Sequence, residues 1–481
     1  MSDSLIDRVD LLCAEAERHL GGHVGIAAAR TRLREPLRVA VAGRVKAGKS
    51  TLVNGLVGER LAATDASECT RYITWYRHAL SYDVNAILND GTQRSLRFRR
   101  DPGAVTFDLE DVAGTAIDHV EIRWPATRLE DMTLIDTPGL GSARLADSPP
   151  QMEPAAADAV IYLMRHLHFR DVDFLEAFGD HELGPPSPTT AIAVLSRADE
   201  IGGGRTDALE SARSIAARYT QDNQIRALCA TVIPVAGLLA ESAAGLREDE
   251  VAAMRSLLTM DSDGLATTLL SADRFTDPAS TPLPSQTRLD LFDRLGMFGV
   301  RTSLDALARN RSLTATDLAR MLRLVSGIDD LQALLDHHFR SRARALKANS
   351  AMTALRDAVR NPSAGDRSAA AGIDRAVEAL WAEAEEFAEF RLWDLISSGS
   401  VAINEDELAD ARRVAPGAAV LDRLGLEPDT DTSAARARAL EGIQYWRDRT
   451  EHPLATRRDA EAFSIVVRWY EGIYAQLRDS V

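Results

Sequence analysis

Eight consecutive residues, Gly43-Arg44-Val45-Lys46-Ala47-Gly48-Lys49-Ser50, constrain this chain more than any other stretch. They match G-x-x-x-x-G-K-[ST], a phosphate-binding loop. The apolar run LRVAVA leads into the loop and TLVNGLVG follows it, so a buried strand, a tight turn and a helix are expected in that order. Backbone N–H groups then converge at a helix N-terminus, where partial positive charge favours phosphate. Lys49 is expected to bridge β- and γ-phosphates and Ser50 to ligate Mg2+. Gly43, Lys46, Ala47, Gly48 and Thr51 complete the expected nucleotide contacts. The chain holds only three lysines, Lys46, Lys49 and Lys347, and two of them fall inside this loop. A compact ammonium fits between phosphates where a planar guanidinium does not.

Four more segments bear on which nucleotide is held. Asp136-Thr137-Pro138-Gly139 follows the apolar MTLI, which sets Asp136 at a strand end. There it is expected to hold Mg2+ through water, with the Gly139 amide near the γ-phosphate. Thr70, in SECTRY, is the expected closing group on Mg2+ and the γ-phosphate, with Thr64 a weaker rival. Ser196-Arg197-Ala198-Asp199 follows AIAVL. Asp199 can accept from guanine N1 and N2 while the Arg197 stem lies on the base; alternatively Asp199 is a helix cap. Val235-Ala236-Gly237 follows the last apolar run and can offer an amide to guanine O6. This order of segments favours GTP over ATP.

GRVKAGKSTLVNGLVG, ECTRYITW, DTPG, SRADEIG and VIPVAGLLA together resemble bacterial dynamin-like proteins, and among them the isoniazid-inducible actinobacterial IniC type, with the IniA type more distant. The likeness extends through Asp293-Arg294-Leu295-Gly296-Met297-Phe298-Gly299 and HFRSRARALKA, but only the first half carries chemically specific motifs. The resemblance implies a GTPase domain on a helical neck and trunk, nucleotide-dependent dimerisation, GTP hydrolysis and work on membranes. Two departures matter. Dynamins commonly carry Gln-Ser at the positions of Val45-Lys46 and recruit a monovalent cation there. The Lys46 ammonium is a candidate for that charge, its bland alternative being a solvent-facing side chain. Leu140 stands where Ras-like enzymes carry a water-orienting glutamine. The water must then be positioned otherwise, by the Thr70 backbone and a partner G domain.

The rest of the chain sets the frame. Its 481 residues carry a formal net charge of -16, which argues against broad nucleic-acid binding. Cys13, Cys69 and Cys229 are odd in number and lack metal or disulfide spacing, so a reducing compartment is expected. The N-terminus lacks signal-peptide character and no apolar run spans a bilayer. A cytoplasmic location is expected, with peripheral contact to the inner face of the cell membrane. Residues 4–33 read as one helix with a Ser4/Asp7 capping box, docking on helices distant in sequence. Apolar runs at 37–42, 132–135, 160–164, 191–195 and 231–235 predict a mostly parallel sheet with helices on both faces. Asn89-Asp90-Gly91 predicts an edge hairpin. Three divisions follow: an N-terminal neck helix (1–35), an α/β P-loop GTPase domain (36–240) and an elongated helical neck and trunk (241–481).

Membrane signals are local. Arg340, Arg344 and Lys347 share a helix face beside Arg342, and either bind anionic headgroups or form a solvated face. Arg94, Arg97, Arg99 and Arg100 cluster near the hairpin. Gly296-Met297-Phe298-Gly299 reads as an inserting tip or a buried hinge; Phe390, Leu392, Trp393, Leu395 and Ile396 read as a lipid-facing tip or core. The pairs His166/His168 and His337/His338 lack metal spacing. Two functional expectations result. One is a membrane-remodelling or membrane-protecting GTPase; the other is a regulatory or scaffolding subunit assembling with a paralogous dynamin-like partner.

Overall fold

The computed structural model describes residues 4–20, 24–62, 72–101, 104–109, 112, 115–138, 157–165, 188–277, 282–360, 367–417 and 419–479. Two compact units result: one contains Pro36–Pro186 with Thr190–Leu335, the other Met1–Glu35, Ser187–Thr189 and Asp336–Val481. The first unit thus runs past residue 240, where the sequence reading ended the α/β domain.

The α/β unit is built on strands β1 (Leu37–Gly43), β2 (Ile73–His78), β3 (Asp83–Leu88), β4 (Gln93–Ser95), β5 (Phe98–Asp101), β6 (Ala104–Phe107), β7 (Ile117–Trp124), β8 (Met132–Asp136), β9 (Ala159–Met164), β10 (Ala191–Ser196) and β11 (Val232–Val235). Nine of them form one sheet in the order β11-β10-β9-β1-β8-β2-β7-β3-β4, while β5 and β6 pair separately. All five apolar runs form strands. From β11 to β8 every pairing is parallel, and β9 and β10 are buried throughout, as continuous apolar runs require. The β3–β4 hairpin sits at the far edge, turning on Gly91 at φ 80°.

The chain opens with α1 (Leu5–His19) and α2 (Val24–Arg32), two helices where one was expected. The helices of the α/β unit are α3 (Lys49–Val57), α4 (Ala208–Gln221), α5 (Asn223–Leu228), α6 (Gly237–Ala243), α7 (Glu248–Leu257), α8 (Ser262–Thr268), α9 (Ala272–Thr276), α10 (Ser285–Arg309), α11 (Ala315–Val325) and α12 (Ile328–Leu335). Helices α7, α10 and α11 belong to this unit because Val251, Met254, Leu291, Leu304 and Leu318 share one apolar core with β9, β10 and α4. Met297 and Phe298 are buried in that core at a break in α10, which makes the GMFG segment a packed kink rather than an inserting tip.

The helical unit adds α13 (Ala343–Arg360), α14 (Arg367–Glu383), α15 (Ala388–Ser397), α16 (Glu405–Val414), α17 (Val420–Leu424), α18 (Thr432–Thr450) and α19 (Arg457–Asp479) to α1 and α2. Ser4 and Asp7 form the expected capping box, and α1 buries Val9, Cys13 and Ala16 against α13 and α14. Arg30 ties α2 to α1 through Asp10 (2.7 Å) and Glu17 (2.8 Å). Phe463, Val466, Tyr470 and Ile473 form a buried stripe along α19, with Leu477 half-buried against the same core. Asp410 accepts from Tyr470 Oη and Trp446 Nε1, both at 2.8 Å, inside this apolar layer.

Most of the candidate lipid contacts are spent within the unit. Arg340 pairs with Asp336 at 3.1 Å, Arg342 with Glu389 at 2.6 Å, and Lys347 Nζ donates to the Glu35 carbonyl at 3.0 Å. Phe390, Leu392 and Trp393 are buried, and Leu395 and Ile396 pack on the same core. Among the described residues no helix is long and apolar enough to cross a membrane.

Gly442 on α18 lies flat against the Tyr470 ring, where a methyl group would overlap Cε1 and Cζ. Gly442→Ala should destabilise the helical unit by about 1–3 kcal/mol through overpacking. Thermal melting followed by tryptophan fluorescence, set against Gly372→Ala at an open position, is the measurement.

Candidate nucleotide site

Strand β1 lies between β8 and β9, in parallel register with both, and delivers Gly43 beside Leu163. Gly43 has φ 150°, and a Cβ there would stand 2.6 Å from the Leu163 carbonyl oxygen. No side chain fits. Gly48, the N-cap of α3, is left-handed at φ 95°. Between them the Ala47 N–H donates to the Arg44 carbonyl at 3.1 Å. Lys46 is left-handed at φ 62°, a conformation uncommon for a residue with a Cβ. Its side chain is exposed, and its carbonyl accepts from Arg197 Nη2 at 3.1 Å. Lys49 is buried, with Nζ donating to the carbonyls of Gly43 (3.2 Å) and Arg44 (3.3 Å). Burial pushes its ammonium pKa below the usual lysine range, against the pull of Asp136.

Ser50, the second residue of α3, donates its hydroxyl to Asp136 Oδ2 at 2.9 Å. Register makes this possible, since Val41 of β1 pairs with Asp136 of β8. Thr137 is pinned beside them, both its N–H (3.3 Å) and its hydroxyl (3.0 Å) donating to the Val41 carbonyl. Asp136 Oδ1 is buried and has no hydrogen-bond partner among the described residues. Burial raises the Asp136 carboxyl to about 6, against Lys49 and the Ser50 hydroxyl. A hydroxyl and an unspent carboxylate oxygen beside a phosphate loop are hard donors suited to Mg2+. Thr70, Thr64, Gly139 and Leu140 lie outside the described residues, as do Cys69, His166 and His168.

The segments after β10 and β11 close the other side. Ala47, Gly48, Thr51, Ser196, Arg197, Asp199, Val235 and Gly237 line one pocket, bringing the loop and both expected base-facing segments together. Ser196 Oγ donates to the Met164 carbonyl at 3.1 Å, and Arg197 turns left-handed at φ 54°. Arg197 Nη1 pairs with Glu200 at 2.6 Å, and Glu200 also takes Arg165 at 2.7 Å. Asp199 is 6% exposed, and burial raises its carboxyl to about 6. It is no helix cap by side chain: the N-cap of the following turn is Arg197. The Ala236 amide, one of the groups expected to face guanine O6, instead donates to the Ser326 carbonyl at 2.9 Å. Gly237 and Leu238 line the pocket from this segment. Sequence reasoning missed Leu163 and Glu200. Leu163 had no motif to mark it, whereas Glu200 follows Asp199 directly.

The raised Asp136 carboxyl has a consequence for stability. Its ionised form is disfavoured in the folded state, so the cost is absent below the ordinary carboxyl range near 4 and grows as pH rises through about 6. Asp136→Asn keeps an acceptor for Ser50 and removes that cost. In metal-free, nucleotide-free buffer it should melt a few degrees higher than wild type at pH 8, with the gap closing by pH 4.

The dynamin family matches residues 39–168 of this chain. Isoniazid-induced protein IniC of Mycobacterium tuberculosis is 39% identical over 456 residues, spanning 92% of this chain and 91% of that protein. A bacterial dynamin-like protein of Nostoc punctiforme is 29% identical over 139 residues, 27% of this chain and 20% of its own length. Among solved structures, an oligomerised bacterial dynamin pair described for long-range sensing and tethering of membranes superposes with a TM-score of 0.36 and 13% identity, over 100% of this chain and 92% of that one. Near-full-length identity to IniC on both chains, with the phosphate loop and its Ser50–Asp136 corner inside the matched region, makes this chain a member of the IniC-type family of dynamin-like proteins.

Proposed function

We propose that this protein binds GTP with Mg2+ in the pocket between the phosphate loop and the segments after β10 and β11, and hydrolyses it to GDP and phosphate. The observation that carries this reading is the Ser50 hydroxyl on Asp136 at 2.9 Å, with the buried Lys49 ammonium beneath the same loop. Lys49 shifts from the Gly43 and Arg44 carbonyls to β- and γ-phosphate oxygens, and Gly43, Ala47, Gly48 and Thr51 present backbone N–H groups to the phosphates. Ser50 would ligate Mg2+ and Asp136 would hold it through water, and a metal held there would supply positive charge against that developing on the phosphates. Thr70 and the Gly139 amide close on the γ-phosphate. Asp199 reads guanine N1 and N2, Ser196 and the Arg197 stem border the base, and Val235, Ala236 and Gly237 form the opposing wall, with the amide from Gly237. With Leu140 in the place of a water-orienting glutamine, turnover depends on self-association through G domains.

The protein then acts peripherally on the cytoplasmic face of the cell membrane, remodelling or protecting it. A second reading is favoured by one observation: Arg340, Arg342 and Lys347 are already paired inside the helical unit. On that reading the chain is a regulatory or scaffolding subunit of a hetero-oligomer with a paralogous dynamin-like protein and binds little lipid itself.

Lys49→Ala should lower GTP turnover about 100-fold or more, since it removes a charge aimed at the transferring phosphoryl group. Co-sedimentation with anionic liposomes in GTP, GDP and no nucleotide separates the two readings. Nucleotide-dependent pelleting of wild type but not Lys49→Ala supports membrane work; no pelleting in any state supports the subunit reading.

Lys46 adds a separate expectation. If its ammonium supplies the charge that dynamins take from a monovalent cation, wild-type turnover is the same in potassium and in choline buffers. Lys46→Ala then loses about tenfold in kcat, partly restored by potassium. Strict potassium dependence of the wild type removes this role from Lys46.

A further inference from the structure

The turn after Asp199 has almost no conformational preference of its own. Gly202, Gly203 and Gly204 are consecutive and all left-handed, at φ 63°, 73° and 68°. Three glycines give this stretch wide backbone freedom three residues beyond the one expected to read the base. Something outside the turn must hold it.

That support is α10, which the phosphate-loop and base motifs do not include. Arg301 Nη1 donates to the carbonyls of Gly203 (2.9 Å) and Gly204. The same guanidinium donates to the Leu269 carbonyl from Nε (3.0 Å) and Nη2 (2.6 Å), and to Leu270 at 3.1 Å. One planar fork thus ties the turn to the α8–α9 junction. Gly204 packs so closely on α10 that a Cβ would stand 3.1 Å from the Phe298 nitrogen and 3.2 Å from Met297 Cβ. Five residues before Arg301 the helix breaks at Gly296, with φ 62° and ψ 176°. That region is essentially restricted to glycine. A Cβ at Gly296 would lie 3.5 Å from Asp199 Oδ2, so the break faces the carboxylate itself.

The half of α10 before the break is fastened to the far end of the helix that follows the other base-facing segment. Ser242 Oγ donates to the Arg294 carbonyl, and Arg294 Nη2 donates to the carbonyls of Gly245 (2.8 Å) and Ser242 (3.3 Å). These residues end the helix that starts at Gly237. Arg294 also pairs with Glu250 of α7. The turn after Asp199 therefore rests on the half of α10 after the break, while the helix that starts at Gly237 meets both halves, Arg294 before the break and Gly299, beside Leu239, after it; Gly296 sets the angle between the halves.

We infer that α10 is the brace that sets guanine selectivity, with Arg301 and Gly296 as positioning residues that hold Asp199 at its working distance from the 235–237 segment. The inference rests on the reading of this pocket as a guanine-nucleotide site. Neither residue touches the base. Their substitution acts through Asp199, which must be held still to accept from both N1–H and the N2 amino group.

Binding of fluorescently labelled GDP, IDP and ADP to the full-length protein tests this. IDP lacks only the N2 amino group, so the GDP-over-IDP ratio reports the Asp199 contact to N2 and leaves the N1 and phosphate contacts constant. Wild type should favour GDP over IDP, and Asp199→Ala should abolish the preference. Arg301→Ala and Gly296→Ala should each lower the ratio about tenfold, the worth of one hydrogen bond to a charged group, while ADP affinity, which draws on no N1–H or N2 contact to Asp199, changes little. Arg309→Ala, on the same helix but 78% exposed and paired with Asp305, should leave the ratio at the wild-type value. Arg301→Lys keeps the charge and stem but not the fork, and stands in if Arg301→Ala does not fold. A merely structural role would lower the melting temperature and weaken all three nucleotides equally, which overturns the inference. So does a wild-type ratio in both variants alongside its loss in Asp199→Ala. Equal affinity of the wild type for GDP and ADP would instead overturn the guanine reading, and the inference with it.

Discussion

The Leu163 carbonyl oxygen stands 2.6 Å from where a Cβ of residue 43 would be, and the rest of the site depends on that closeness. Only a residue without a side chain lets β1 remain paired to β9 up to the point where the loop departs. Because β1 runs between β8 and β9, its end comes beside the end of β8, and Ser50 reaches Asp136. Parallel pairing out to β11 then brings the segments after β10 and β11 to the same edge of the sheet. Ligand sites in open α/β sheets lie at such carboxyl ends, because there the loops diverge and leave a crevice.

Burial acts on the charges of this crevice in opposite directions. It pushes the Lys49 ammonium down and the Asp136 and Asp199 carboxyls up, since a low-dielectric setting disfavours each charged form. Lys49 and Asp136 partly offset one another, and the orphan Asp136 oxygen leaves acceptor capacity unspent. Strong shifts gathered in one cleft are characteristic of binding sites, where a ligand's own charges complete the balance. Arginines elsewhere follow a different pattern: Arg301, Arg342 and Arg423 spend their forked donors on backbone carbonyls that close turns and helix ends. That use suits a planar, permanently charged group.

Local spacing made much of this legible. The five apolar runs form five strands, and the phosphate loop runs from β1 into α3 as the strand–turn–helix order expects. The Ser4/Asp7 box caps α1. Where the reading fell short, the deciding partner was far away in sequence. The Ala236 amide is taken by Ser326, ninety residues on and out of reach of any local pattern. Lys347 and Arg342 looked like a cationic face until their acceptors, the Glu35 carbonyl and Glu389, were in place. The GMFG segment carried two readings, and burial of Met297 and Phe298 chose between them.

By itself the sequence determined the phosphate loop, the Asp136 strand end and the alternation that produces a parallel sheet. Those features depend on backbone angles and on periods of a few residues, which are written locally. Tertiary structure alone decided which amide of the 235–237 segment is spent, which cations are neutralised, and that a helix beginning at Ser285 supports the turn after Asp199. Each of these is a hydrogen bond or close approach between segments dozens to hundreds of residues apart, and the free energy of such a contact exists only once the chain has brought both partners together.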